Sequence, residues 1–129
     1  MARIVGGFVL PHEPGIFYLP RERWTEGQHR VRAAYDQVAR RIGELGANAV
    51  VIVGADHYVL FGPGCLPSYL IGIGDVSGPY ERFPDMAQGE IPNHVPLALH
   101  IAQFGRERCF DWAVAKSLRV DHSIGVPAR

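Results

Sequence analysis

The chain has 129 residues, enough for one domain with its own core. Apolar residues make up 47% and charged residues 20%, and 13 basic residues balance 13 acidic ones. No field of one sign therefore points to nucleic acid or to an anionic membrane surface. Cys65 and Cys109 form neither a metal-type pair nor a disulfide framework. The short N-terminal apolar run, broken by Gly6, Gly7 and Pro11, does not have the form of a signal peptide, and no stretch reaches transmembrane length. A cytoplasmic protein with reduced thiols is the expectation.

Residues 3–10 (RIVGGFVL) read as a buried strand ended by Pro11, and 11–24 read as loop. A helix is expected over Glu26–Leu45. Thr25 and Gln28 make a capping box, Val31, Ala34, Tyr35, Val38, Ile42 and Leu45 recur at helical spacing, and Gly46 suits the C-terminal cap. The arginines Arg21, Arg23, Arg30, Arg32, Arg40 and Arg41 read as a solvated face. Ala49–Val53 is a continuous apolar run, typical of a strand covered on both faces. Strand, helix, strand in that order suggests a right-handed parallel crossover.

Residues 66–74 are a further candidate strand, and 75–93 read as loop. A helix is expected over Val95–Phe104, between Pro92 and Gly105, and a strand over 110–116. Residues 119–127 read as a loop, with a new helix starting at Pro127. The fold class is α/β, with a mainly parallel or mixed sheet flanked by helices, arranged as one domain over residues 1–129.

In such sheets ligands bind beyond the carboxyl ends of the strands. His12, His57 and His122 each follow a candidate strand, in "LPHEPG", "GADHY" and "VDHSIG". Two histidines on neighbouring parallel strands would converge on one sheet edge. Two imidazoles and one carboxylate on one face suit non-heme iron(II), with a further histidine free to move a substrate proton. Asp56 and Asp121 each precede a histidine, as orienting partners or as turn residues. Glu13 and Glu90 are loop carboxylates available to such a site, Glu13 being the nearer in sequence. His29, His94 and His100 read as helix residues with structural roles. No phosphate loop of the usual spacing is present, and none of Ser68, Ser77, Ser117 and Ser123 sits in a nucleophile elbow.

Four segments in this order, "MARIVGGFVLPHEPG", "VVIVGADHY", "NHVPLALHIAQ" and "FDWAVAKSLRVDHSIGVP", resemble the N-terminal half of the class III extradiol ring-cleavage dioxygenases of the protocatechuate 4,5-dioxygenase beta-chain type. The resemblance implies that His12 and His57 bind Fe(II). It implies that His122 lies near the substrate in the family's "DHG" loop, where Ser123 stands in place of glycine. The implied reaction opens a catechol-type aromatic ring with O2. The family's carboxylate ligand and its main acid/base histidine lie in a C-terminal half that this sequence does not match. A truncated enzyme, an enzyme completed by a partner subunit, and a non-catalytic interaction subunit on the same scaffold all stay open.

Apolar surface left uncovered by a half-domain would favour a homo-oligomer or a partner chain. Loops 13–25 and 75–93 are expected to shape a pocket, with Tyr18 and Tyr58 available to hydrogen-bond an aromatic substrate or to pack.

Overall fold

The computed structural model describes residues 2–84 and 86–128. In chain order it contains α1 (Gly15–Tyr18), a 3₁₀ turn (Arg21–Arg23), α2 (Glu26–Glu44), β1 (Tyr69–Ser77), β2 (Glu90–Ile91), α3 (Val95–Arg106), β3 (Trp112–Arg119) and α4 (His122–Gly125). The sheet order is β2-β1-β3. β1 and β3 run parallel from Tyr69↔Trp112 to Ser77↔Arg119. β2 pairs antiparallel with β1 through Val76↔Ile91 and Ser77↔Glu90. The expected α/β class with a mixed sheet and flanking helices therefore holds.

Where the sequence carries explicit start signals, the helices begin as read, while α3 runs past its expected stop at Gly105 to Arg106. The Thr25–Gln28 capping box closes in both directions, with Thr25 N donating to Gln28 Oε1 at 2.8 Å and Gln28 N to Thr25 Oγ1 at 3.3 Å. Gly46, just beyond α2, adopts φ +62°, a left-handed conformation that costs glycine little. Arg30–Glu26, Arg32–Asp36 and Arg41–Glu44 pair along the solvated face of α2. His94 caps α3, its Nδ1 accepting from Leu97 N at 3.2 Å.

Other expectations fail: within 75–93, read as loop, residues up to Ser77 belong to β1 and Glu90–Ile91 form β2. Residues 3–10 and 49–53 belong to no strand; Ile4 is 95% exposed and Val53 90%. An apolar run becomes a strand only where a neighbour offers ladder bonds and a layer covers its faces. Among the described residues the sheet ends at β3 and gives these runs neither. The strand–helix–strand crossover through α2 is accordingly absent, and the parallel connection runs β1–α3–β3 instead. The last helix begins at His122, not at Pro127, because the Asp121 side chain caps it by accepting from Ser123 N.

Close approaches hold the β1–α3–β3 unit together. The Asn93 side chain donates to Gly72 O and Gly74 O, at 3.0 and 2.9 Å, where the β1–β3 register shifts. A Cβ on Gly74 would meet Lys116 O at 2.1 Å, and one on Gly105 would meet the Trp112 indole at 1.6 Å. α3 thus lies on the sheet at a distance only glycine permits. The apolar core cluster, Ile16, Phe17, Phe83, Met86 and Val126, joins α1, the 78–88 loop and the chain after α4, with Trp24, Val31 and Tyr35 packed against it. Gly105→Ala is expected to destabilise the chain by about 1–3 kcal/mol through overpacking, despite alanine's better helix propensity. A lower urea midpoint followed by tryptophan fluorescence checks this.

Candidate metal and proton-transfer site

His12 lies between two anchored points. The Tyr35 hydroxyl on α2 donates to Pro11 O. Burial pushes the Tyr35 phenol up from its usual range, which keeps it a donor. On the other side, Glu13 Oε1 accepts from Gly15 N at 2.9 Å, and α1 buries Ile16 and Phe17 directly after it. The prolines and the core cluster thus place His12 without any strand beneath it.

His57 is held by Asp121. Asp121 Oδ2 lies 2.8 Å from His57 Nδ1 and accepts from His57 N at 2.9 Å. Asp121 Oδ1 accepts from Ser123 N at 2.9 Å and from Ser123 Oγ at 2.6 Å. Burial pushes the Asp121 carboxyl up, but the hydrogen bonds from Ser123 and His57 together outweigh it and hold the group below the usual aspartate range. An ionised carboxylate only accepts, so His57 carries its proton on Nδ1 and keeps the Nε2 lone pair free. The contact requires the 54–57 segment to pass tightly over α4, and a Cβ on Gly54 would meet Ile124 Cδ1 at 2.7 Å.

His122 opens α4, and its Nδ1 lies 2.6 Å from Glu81 Oε1. Its side chain is 18% exposed and that of Glu81 22%. The three imidazoles converge. The His57 and His122 rings stack with centroids 4.4 Å apart and planes at 16°, while His12 stands 5.1 Å from His57 and 5.7 Å from His122. Each ring offers a nitrogen to a set lying within 4.8 Å of one another. One ion with imidazole bonds of about 2.1 Å spans at most about 4.2 Å between ligands, so two of these rings suffice to hold it and the third nitrogen can serve a metal ion or a proton. Carboxylates on the Nδ1 side of His57 and His122 leave their Nε2 atoms available, the donor arrangement that metal-binding histidines use. The residues fit a first-row metal ion.

The structure therefore brings together all three histidines that follow "strand" signatures in the sequence. Asp56 stays outside: it accepts from Leu60 N and Phe61 N, a turn role. Glu13 accepts from Gly15 N at the start of α1, and Glu90 lies in β2. His29 stands edge-on to Trp24, and His94 and His100 belong to α3. Tyr18 packs edge-on to Phe83, with ring centroids 4.7 Å apart, and Tyr58 is 70% exposed. Glu81 escaped the sequence reading, because no local signal ties a loop glutamate to a histidine 41 positions later. The nearby Pro79, Phe83 and Met86 were the available hint that this loop is packed.

A mixed α/β scaffold presents three clustered imidazoles, two with carboxylate partners, as a group that could hold a metal ion. Residues 6–129 match the family described as the catalytic LigB subunit of aromatic ring-opening dioxygenase, and the chain belongs to that family. It is 31% identical over 119 residues to a 2,3-dihydroxyphenylpropionate/2,3-dihydroxicinnamic acid 1,2-dioxygenase of Rhodococcus globerulus, covering 92% of this chain and 36% of the relative. It is 29% identical over 120 residues to a protein of the same name from Klebsiella pneumoniae subsp. pneumoniae, with the same coverage of each. The chain thus spans about a third of the length of these curated relatives. No helix among the described residues is long and apolar enough to cross a membrane.

Because folding favours the ionised Asp121, its contribution to stability is complete above the usual aspartate range and is lost as the pH falls through the lowered folded value. Asp121→Asn is expected to cost about 1.5–3 kcal/mol at neutral pH, the scale of a hydrogen bond to a charged group. It is also expected to flatten the acid limb of the stability curve. Urea midpoints taken between about pH 7 and pH 2 check both effects.

Proposed function

We propose that this chain, acting as one dioxygenase-like domain over residues 1–129, carries the iron(II) and proton-handling part of an extradiol ring-cleavage dioxygenase. The substrate class is a catechol-type aromatic, opened with O2. The observation that carries this reading is the convergence of His12, His57 and His122 with the Nδ1 atoms of two rings committed to carboxylates. Family membership supplies the reaction class, and the names of the two relatives support a ring with adjacent hydroxyls.

His12 and His57 are the residues that hold the ion. When bound, ferrous iron supplies Lewis acidity toward the catechol hydroxyls and the redox chemistry that O2 requires. Asp121 keeps the His57 ring oriented and its Nε2 free, which raises its basicity as a ligand. His122, stacked on His57 and partly exposed, is the residue whose Nε2 would accept a proton from a substrate hydroxyl. The clustered core of α1, the 78–88 loop and Val126 ties together the segments that carry His12, Glu81 and His122.

The exposed apolar runs around Ile4, Val9, Val50, Val51 and Val53 support a homo-oligomer or a partner subunit that covers them. The free, exposed thiols of Cys65 and Cys109 support a cytoplasmic location.

Anaerobic titration with ferrous ion tests the reading. The wild-type chain is expected to bind one ion, and Asp121→Asn to weaken binding by about 10–100-fold. His12→Ala and His57→Ala lose more than that. His122→Ala retains near wild-type affinity, and in turnover of catechols under oxygen it lowers formation of the yellow ring-opened product by about 10²–10⁴-fold. A wild-type chain that takes up no iron, with His12 and His57 replaceable without effect, leaves a non-catalytic interaction scaffold in place of an enzyme.

A further inference from the structure

We propose that Glu81 is a positioning residue for His122: its carboxylate fixes the proton on Nδ1, so that Nε2 is the atom that accepts a proton from the substrate. This rests on the reading of His122 as the proton-accepting group.

Glu81 Oε1 lies 2.6 Å from His122 Nδ1, a short hydrogen-bonding contact. Both side chains are mostly shielded from solvent, so the interaction is screened little. A neutral imidazole free in solution carries its proton on either nitrogen. Beside an ionised carboxylate, which only accepts, the proton stays on Nδ1 and the lone pair stays on Nε2. When the substrate O–H bond breaks and the Nε2–H bond forms, the ring becomes an imidazolium. The Glu81 carboxylate then offsets its charge, the role a carboxylate plays for a catalytic histidine elsewhere.

The backbone around Glu81 gives that carboxylate a firm base. Tyr80 N donates to Val120 O at 2.7 Å, immediately before the Asp121–His122 pair. Pro79 is fully buried, and a Cβ on Gly125 would meet its Cβ at 2.6 Å, so the loop lies tightly on α4. Phe83 and Met86, 4% and 6% exposed, pin the other side of the loop in the core. Glu81 Oε2 is buried without a hydrogen-bond partner, and Asp121 is the other carboxylate nearby, so the Oε1–His122 contact is this carboxylate's hydrogen bond.

The test uses the whole chain, free of metal, with isotope-labelled histidine nitrogens. Long-range nitrogen–proton correlation spectra show which ring nitrogen carries the proton, and the His122 signals are assigned by their loss in His122→Asn. The wild type is expected to show His122 with its proton on Nδ1. Glu81→Gln, whose amide oxygen still accepts, keeps that form as the main one. Glu81→Leu loses it, and the Nε2–H form becomes the major species. Glu81→Ala removes the acceptor without added bulk and replaces Glu81→Leu where the latter does not fold. His122 protonated on Nε2 in the wild type overturns the proposal. So does an unchanged tautomer in a folded Glu81→Leu or Glu81→Ala chain.

Cobalt(II) titration separates positioning from ligation. Glu81→Gln and Glu81→Ala are expected to bind within a few-fold of wild type, whereas a loss beyond about tenfold makes Glu81 a ligand and overturns its positioning role. A wild-type chain that binds no cobalt sinks the dioxygenase reading and leaves the tautomer result standing, so the two failures are distinct.

Discussion

One buried carboxylate organises the site. Asp121 is 3% exposed and accepts four hydrogen bonds, two from Ser123 and two from His57. Each of its oxygens does a different job. Oδ1 starts α4 and so orients His122; Oδ2 reaches 64 positions back along the chain and seizes both the backbone and the ring of His57. A charge taken out of water costs several kcal/mol unless its lone pairs are filled, and here they are. The same contact thus serves as helix cap, as a tie between distant segments and as the orienting partner of an imidazole.

The apolar packing serves that polar cluster. The buried cluster of Ile16, Phe17, Phe83, Met86 and Val126 takes residues from the segments that carry His12, Glu81 and His122. Phe17 and Phe83 meet with ring centroids 6.2 Å apart, so the loop after His12 and the loop holding Glu81 are clamped to each other. The β1–α3–β3 unit stands beside this, and Val120 links the two by accepting from Tyr80 N while donating to Ser77 O. Neither histidine loop that the sequence hangs on a strand needs one: His12 is located by prolines, α1 and Tyr35, and His57 by Asp121.

The sequence made legible those features whose causes are local. The capping box at Thr25, the left-handed Gly46 and the start of α3 at Val95 depend on neighbours within a few positions and form as read, whereas α3 runs through Gly105, its expected stop, to Arg106. The three histidines were readable because each sits in a compact loop signature. No strand forms at 3–10 or 49–53, because apolar content reports a demand for cover, whereas strand formation depends on a supplier elsewhere in the chain. The pairing of Asp121 with His57, in place of its neighbour His122, and the capture of His122 by Glu81 are long-range choices of the fold. Their sequence separations of 64 and 41 leave no trace in spacing.

The uncovered apolar runs have a consequence for handling. Between Glu44 and Asp56 the chain carries no charge and no proline, and it includes the β-branched stretch Val50–Val53, largely in contact with water. Charged or proline gatekeepers normally interrupt such windows, because unpaired extended backbone with apolar side chains recruits copies of itself into stacked ladders. Colloidal behaviour, more than folding, then sets the working concentration of the chain on its own. A lysine or glutamate introduced at Val53 would act as the missing interruption without touching the histidine cluster.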